Sequence, residues 1–121
     1  MEEILNYLAD RVGIISLLTG IIFTITGSIM YFSPPKKINF FYGYRTLSSM
    51  KNQQVWDFSQ KFSAVKMIQV GFSLLAASLL NVLFDISQKQ SLYLGIGCII
   101  IGCIYMVVVT EKAIKRNFPN E

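Results

Sequence analysis

Three long apolar runs divide the sequence, and polar segments separate them. The runs cover residues 12–32, 64–84 and 91–110, and charged residues are nearly absent from their interiors. A helix rises 1.5 Å per residue, so a run of about 20 residues crosses the roughly 30 Å hydrocarbon layer of a bilayer. The pattern therefore predicts an all-α, polytopic membrane protein with three transmembrane helices in a single domain.

Two polar connections and a tail follow from this division. Residues 33–63 form a long loop, and Pro34 and Pro35 end the first helix because proline lacks an N–H and restricts the preceding residue. Residues 85–90 form a short polar turn, which predicts that the second and third helices make an antiparallel hairpin. Residues 111–121 form a polar tail.

The second half of the long loop has the periodicity of an amphipathic helix. Serine is a good N-cap, so we expect this helix to begin after Ser48 or Ser49. Val55, Phe58 and Phe62 recur at helical spacing on one side. The pattern predicts an interfacial helix that lies along the lipid headgroups with these side chains facing inward.

Composition supports the membrane assignment and adds an orientation. Charged residues make up 15% of the chain, against about a quarter in soluble domains. One side of the membrane would carry nine lysines and arginines, which are Lys36, Lys37, Arg45, Lys51, Lys61, Lys66, Lys112, Lys115 and Arg116. Only Arg11 and Lys89 would lie on the other side. The positive-inside rule then predicts a cell-membrane protein whose long loop and C-terminus are cytoplasmic and whose N-terminus is outside.

Several classes of chemistry are excluded. The chain has no histidine, so His-based acid–base catalysis and His metal sites are absent. It has no phosphate-binding glycine motif, nucleophile elbow or paired-cysteine metal motif. Cys98 and Cys103 lie inside the third apolar run and are interpreted as apolar filler, while Asp57 is the only acid in the long loop. We therefore predict a protein that is not an enzyme and uses no cofactor or metal.

Small residues recur on one face of two predicted helices. Gly13, Gly20 and Gly27 are spaced by seven residues, and Gly95 and Gly102 share a face of the third run. Such stripes let helix backbones approach closely in lipid. They favour packing within the chain, and a homo-oligomer seam is the alternative.

The long loop carries a cluster of polar and aromatic side chains suited to specific recognition. The candidate binding residues are Asn39, Tyr42, Gly43, Tyr44, Arg45, Thr46, Ser49, Asn52 and Trp56. In a structural interpretation, Arg45 ties together loop carbonyls and helix ends. In a recognition interpretation, Arg45 pairs with a phosphate or carboxylate while Tyr44 and Trp56 pack on an apolar ligand. Composition does not separate the two.

Charge placement also bears on partners. Membrane lipid is an expected partner, and Lys36 and Lys37 at the membrane edge suit anionic lipid. Nucleic acid is not expected, because the basic residues flank apolar runs instead of forming a solvated patch.

The loop residues resemble the SdpI family of bacterial membrane proteins, which is typified by an immunity protein against a secreted killing peptide. The residues that carry the resemblance are Pro34, Pro35, Asn39, Tyr42, Gly43, Tyr44, Arg45, Thr46, Ser49, Asn52 and Trp56. The resemblance implies immunity toward a membrane-active peptide toxin. In the founding member it also implies signalling through a cytoplasmic regulator held at the membrane.

Two functions of different classes remain open at this stage. The first is a non-enzymatic immunity protein that binds an antimicrobial peptide or the peptide's target, with docking of a cytoplasmic regulator as an extension. The second is a small oligomeric transporter or exporter of a peptide or other small substrate. Lys66, Gln69 and Asn81 motivate the second, since polar residues in spans mark transport pathways, although all three lie near an interface.

Overall fold

The computed structural model describes residues 1–11, 13–84 and 86–119. Within these ranges the chain forms four helices and no strand. They are α1 (Glu2–Arg11), α2 (Ile14–Phe32), α3 (Gln53–Leu83) and α4 (Gln88–Asn117). The last three are each long and apolar enough to cross a membrane. The predicted all-α, multi-pass membrane architecture with three transmembrane helices is confirmed.

Helix α3 joins two segments that the sequence analysis separated. It runs for 31 residues without interruption, so the predicted interfacial helix is not a separate element but the first turns of α3. Asn52, and not a serine, caps it by accepting a hydrogen bond from the Val55 amide at 2.9 Å. No proline occurs between residues 53 and 83 to end or bend the helix. At 1.5 Å per residue α3 is about 46 Å long, more than a bilayer core requires.

The first turns of α3 bury a face that shares only Val55 with the predicted one. Val55 and Trp56 are fully buried, and Ser59 and Gln60 continue the same face. Phe58 is only half-buried, although it had been placed on the inward side. The loop covers this face, so polar side chains that bond to loop backbone are buried there in place of aromatic ones.

The outer helices also depart from the predicted boundaries. Helix α4 begins at Gln88, where Ser87 and Gln90 form a capping box, and it continues past the predicted end of the span at residue 110 to Asn117. Helix α1 was not predicted, because its mixed composition contains no long apolar run. Asp85, in the predicted turn, lies outside the described residues.

Glycines bring α2 and α3 into close contact. A Cβ on Gly20 would lie 2.9 Å from the Gly71 carbonyl oxygen, and one on Gly27 would lie 3.1 Å from the Ala64 carbonyl oxygen. These distances are shorter than ordinary contacts, so the two backbones meet where side chains are missing. Gly20 and Gly27 therefore pack within the chain. A homo-oligomer remains a prediction.

Helix α4 is the least enclosed of the three spans. In the most apolar stretch of α4, 6% of the residues are buried, against 33% in the corresponding stretch of α3. It meets α3 where Gly102 faces Val70, and it meets α2 where Gly95 faces Ser16. The end of α2, the start of α3 and the end of α4 lie at one end of the bundle, and the loop from residue 33 to residue 52 packs there.

Candidate recognition site

Asn39 organises the first turn of the loop. Its amide nitrogen donates to the Lys37 carbonyl at 2.9 Å, and its Oδ1 accepts from the amides of Phe41 and Tyr42 at 2.9 and 2.7 Å. This pattern is an Asx turn, in which a side chain replaces a backbone partner. The polar atoms of Asn39 are therefore committed to the shape of the loop.

Gln60 of α3 holds the middle of the loop. Its Oε1 accepts from the Tyr44 amide at 2.7 Å, and its Nε2 donates to the Tyr44 carbonyl at 2.8 Å. Gln60 is fully buried. Gly43, with a φ of 110°, takes a backbone conformation that side chains other than glycine resist. A Cβ there would overlap Gln60 Oε1 and lie 2.8 Å from Pro35 Cγ.

Gln60 is not among the candidate residues predicted from the sequence. The available signal was its position one helical turn after Trp56 and one turn before Ala64. All three are fully buried in the structure. An amide on a helix face shared with tryptophan and alanine indicates a buried hydrogen-bonding role, because an unpaired buried amide is costly.

Trp56 anchors the start of the loop. It is 0% exposed, and its Nε1 donates to the Pro35 carbonyl at 2.8 Å. The indole thus satisfies a backbone acceptor in the segment that follows α2. The structure places Trp56 beneath the loop, away from any surface that a ligand could reach.

Three further candidate residues serve the turn that leads into α3. The Thr46 amide donates to Ser49 Oγ at 2.8 Å, and the Ser49 amide donates to Thr46 Oγ1 at 3.1 Å. Ser49 is fully buried. Asn52 is the cap described above. These side chains close the loop and begin the helix.

A polar cluster joins the loop to α4. Ser48 Oγ donates to the Glu111 carboxylate. The Tyr44 hydroxyl is buried and has no hydrogen bond of regular geometry among the described residues, and the same is true of Thr110 Oγ1. Burial first, and then the nearby Glu111 carboxylate, raise the pKa of the Tyr44 phenol above its ordinary value. Tyr44 is therefore neutral, and its ring faces α4.

Arg45 differs from its neighbours. Its side chain is exposed and makes no hydrogen bond, ion pair or ring contact with any residue in the described part of the chain. It lines a cavity of about 280 Å³ that lies between the loop and the ends of the three spans. The cavity is lined by Thr26, Met30, Phe41, Tyr42, Gly43, Tyr44, Arg45, Ser63, Met67 and Met106. A free guanidinium beside thioether and aromatic walls suits a ligand with an anionic group and an apolar part.

Tyr42 lies at the edge of this cavity. Its hydroxyl donates to the Ser33 carbonyl at 3.1 Å, at the end of α2. About a third of its surface is exposed, and Phe41 beside it is 92% exposed. Of the nine candidate residues, the structure brings Tyr42, Gly43, Tyr44 and Arg45 together around the cavity.

Acidic and thiol side chains are not clustered in the part of the chain that the structure describes. Within the residues that the structure describes, no group of three His, Cys, Asp or Glu side chains could hold a metal ion. Asp57 accepts a hydrogen bond from Gln53 at 2.7 Å and lies outside the Arg45 cavity. The cavity itself offers one cation, Arg45, and a mostly apolar wall.

Comparison with known proteins places this architecture in a family. The family described as the SdpI/YfhL protein family matches residues 36–110, which include most of the loop, all of α3 and the membrane part of α4. The chain belongs to the SdpI/YfhL family. It is also 32% identical over 99 residues to the uncharacterized protein YfhL of Bacillus subtilis (strain 168), and the match covers 82% of this chain and 84% of that protein. No solved structure matches the chain.

Membership of the SdpI/YfhL family confirms the resemblance drawn from the loop residues. The matched segment begins at Lys36 and so contains Arg45 together with the buried side chains Trp56 and Gln60 that hold the loop in place. Helices α1 and α2 both lie outside the match.

Proposed function

We propose that this SdpI-like membrane protein protects a bacterial cell against an antimicrobial peptide toxin, and that it does so by binding and not by catalysis. The observation that carries the proposal is the contrast within the loop. Most polar atoms of the loop are used to hold its shape, while the Arg45 guanidinium beside the cavity has no partner among the residues that the structure describes. Family membership supports the class of function.

Arg45 is the residue through which recognition would act. An unpaired guanidinium forms bidentate hydrogen bonds with a carboxylate or a phosphate. A peptide offers a carboxylate at its C-terminus, and the membrane that a peptide attacks offers phosphate. The apolar walls then contact the hydrophobic part of the same ligand, as Met30 and Met67 are placed to do.

Absence of catalysis is part of the proposal. A general base or nucleophile must lie within hydrogen-bond reach of the reacting group. The cavity is lined by thioether, aromatic and hydroxyl side chains and by Arg45, which stays protonated. None of these side chains pairs with a base inside the cavity.

Resistance of a sensitive bacterium tests this function. Cells that express the full chain are challenged with membrane-active killing peptides, and the growth of cells carrying Arg45→Gln is compared with that of wild type. Lys61→Gln is the matched control, because Lys61 is an exposed cation of α3 that does not line the cavity. Membrane-embedded protein is quantified for each variant by size-exclusion chromatography in detergent.

We expect wild type and Lys61→Gln to protect, and Arg45→Gln to lose protection at an unchanged level of folded protein. Equal protection by Arg45→Gln would contradict recognition through Arg45. Lack of protection by wild type against every peptide would contradict the immunity function itself.

Signalling through a cytoplasmic regulator extends the proposal. Phe40, Phe41 and Leu47 are between 76 and 93% exposed on the loop, and basic residues surround them. Such a surface suits an acidic partner with an apolar contact. Co-purification of a soluble protein that is lost in Leu47→Ser would support it, and purification of the chain alone from toxin-treated cells would contradict it.

The orientation belongs to the same proposal, because a regulator can dock only if the loop is cytoplasmic. Nine of the eleven lysines and arginines lie on the loop side, which the positive-inside rule assigns to the cytoplasm. A reporter fused after residue 121 should behave as cytoplasmic. A signal from outside the cell membrane would reverse the assignment.

A second function has one specific observation in its favour. A groove of about 440 Å³ lies between α3 and α4, and Gln69 and Ser73 are polar residues along it. Polar groups inside a span mark transport pathways in many membrane proteins. Flux of a labelled peptide across proteoliposomes, reduced by Gln69→Leu, would support a transporter. Protection of cells without any flux would exclude it.

A further inference from the structure

We infer that the Arg45 cavity binds one anionic phospholipid from the leaflet on the loop side, with its phosphate on Arg45 and an acyl chain among Met30, Met67 and Met106. The inference goes beyond resistance to a peptide, since it concerns a ligand that is present in every membrane. Four features of the described residues carry it.

The first feature is the depth of the cavity. Arg45 comes from the loop that covers the ends of the spans, and Thr26 lies six residues before the end of α2. Six helical residues correspond to about 9 Å. The cavity therefore extends from the level of the headgroups into the hydrocarbon of the same leaflet. A phospholipid changes from charged to apolar over the same distance.

The second feature is the chemistry of the walls. Three methionines from three different helices, Met30, Met67 and Met106, line the cavity. Thioether side chains are flexible and adapt to the irregular shape of an acyl chain. Arg45, which comes from the loop, supplies the cation for a phosphate in the same cavity.

The third feature is charge. Basic pockets between transmembrane helices are recognised sites for anionic headgroups. Arg45 has no carboxylate partner among the described residues, so its charge is available to an anion. Lys36, Lys37 and other cations on the same side raise the local concentration of anionic lipid.

The fourth feature is size. A volume of about 280 Å³ lies just under the 300–1,000 Å³ that drug-sized ligands occupy. Such a space holds part of one acyl chain beside a phosphate, and it is small for a folded peptide. A peptide that uses Arg45 would compete with the lipid for the same guanidinium.

Native mass spectrometry of the full chain in detergent tests the inference. Delipidated protein is mixed with phosphatidylglycerol, or with phosphatidylcholine that carries the same acyl chains, and bound lipid per chain is counted. Inorganic phosphate and glycerol phosphate are added separately, so that a headgroup site for a soluble phosphate is distinguished from a lipid site. No peptide is present, so the result is independent of the resistance assay.

Three variants complete the test. Arg45→Gln removes the cation, Met106→Trp fills the apolar end without changing charge, and Lys61→Gln removes a cation outside the cavity. We expect one phosphatidylglycerol per wild-type chain, at least tenfold weaker binding in Arg45→Gln and in Met106→Trp, and unchanged binding in Lys61→Gln. If Arg45→Gln does not fold, the binding of phosphatidylglycerol by Met106→Trp decides whether the cavity is the lipid site.

Four results would overturn the inference. The first is that the wild-type chain retains phosphatidylcholine as well as phosphatidylglycerol, and the second is that Arg45→Gln and Lys61→Gln lose phosphatidylglycerol binding to the same extent. The third is that Met106→Trp binds phosphatidylglycerol as well as wild type does. The fourth is that inorganic phosphate displaces the lipid at equal concentration.

Discussion

Two sets of side chains from the same region differ in where their polar atoms go. The anchoring set directs its donors and acceptors into the loop backbone, and it consists of Asn39, Ser49, Trp56 and Gln60. The presented set directs its side chains away from the loop, and it consists of Phe41, Arg45 and Leu47. Trp56 and Gln60 are fully buried, whereas Phe41 and Leu47 are more than 90% exposed.

This difference separates shape from recognition within one motif. Buried polar groups must be paired, so loss of an anchoring side chain leaves a backbone group unsatisfied. Loss of a presented side chain leaves nothing unsatisfied. Substitutions in the two sets should therefore give opposite results, with stability lost in the first and only function lost in the second.

Gly43→Ala should have the largest effect on stability. The new Cβ would require a left-handed backbone at a φ of 110° and would overlap the Gln60 amide. Backbone strain and overpacking together should cost about 4 kcal/mol of unfolding free energy. Thermal unfolding in detergent measures this loss. Gly97→Ala is the control, because a Cβ there meets nothing within 4 Å and should not destabilise the helix.

Gln60→Leu should cause the next largest loss of unfolding free energy. It removes both hydrogen bonds to Tyr44 while it retains most of the side-chain volume. The Tyr44 amide would lose its partner and the Tyr44 carbonyl would keep only the 3.1 Å bond from Ser49 Oγ, at a cost of about 3 kcal/mol. Gln54→Leu, an exposed position on the same helix, should change unfolding by less than about 0.5 kcal/mol. Equal stability of the two variants would refute the anchoring role of Gln60.

Trp56→Phe should lower the unfolding free energy by less, because an aromatic ring still fills most of the buried space. The lost interaction is the 2.8 Å hydrogen bond from Nε1 to the Pro35 carbonyl. A buried acceptor without its donor costs about 2 kcal/mol. Urea or thermal unfolding in detergent measures the change, and an unaltered midpoint would show that Pro35 finds another donor.

Tyr44→Phe should change stability only at high pH. Burial and Glu111 raise the pKa of the folded phenol, so the neutral form is favoured in the fold. The stabilisation is complete below the ordinary tyrosine pKa of about 10 and is lost as pH rises above it. Wild type should therefore lose stability more steeply than Tyr44→Phe as the pH rises above 10. If the unfolding free energies of wild type and Tyr44→Phe changed in parallel with pH, the raised pKa of Tyr44 would be contradicted.

Arg45→Gln should have the smallest effect on stability, within about 0.5 kcal/mol of wild type. The side chain is exposed and has no partner among the described residues. The unfolding midpoint in lipid-free detergent is the appropriate measurement, since a bound lipid would stabilise wild type alone. A loss comparable to that in Gln60→Leu would place Arg45 in the anchoring set.

Much of the membrane architecture was predictable because it depends on composition along the chain. A run of about 20 apolar residues has few alternatives to a membrane span. The end of α2 at Phe32 was predictable because Pro34 and Pro35 follow it. The start of α3 was not, since Ser48, Ser49 and Asn52 are all good caps and only the path of the loop selects among them.

The candidate site was only half predictable. The sequence located the motif and named Arg45, but composition left a structural and a recognition role equally open. It missed Gln60 because a glutamine in a helix carries no local sign of a partner sixteen residues earlier in the chain. The recognition interpretation packed Trp56 on an apolar ligand, whereas the structure buries its indole beneath the loop with a hydrogen bond to the Pro35 carbonyl.

Hydrophobic runs and prolines by themselves determined that this chain crosses a membrane three times and where its first span ends. Those features depend on the transfer of nearby residues from water to lipid, which local composition specifies. Only the tertiary structure decided which polar residues of the loop are anchors and that Arg45 has no partner in the described part of the chain. That distinction depends on whether residues distant in sequence, such as Gln60 and Tyr44, satisfy each other's hydrogen bonds when the loop packs against the helices.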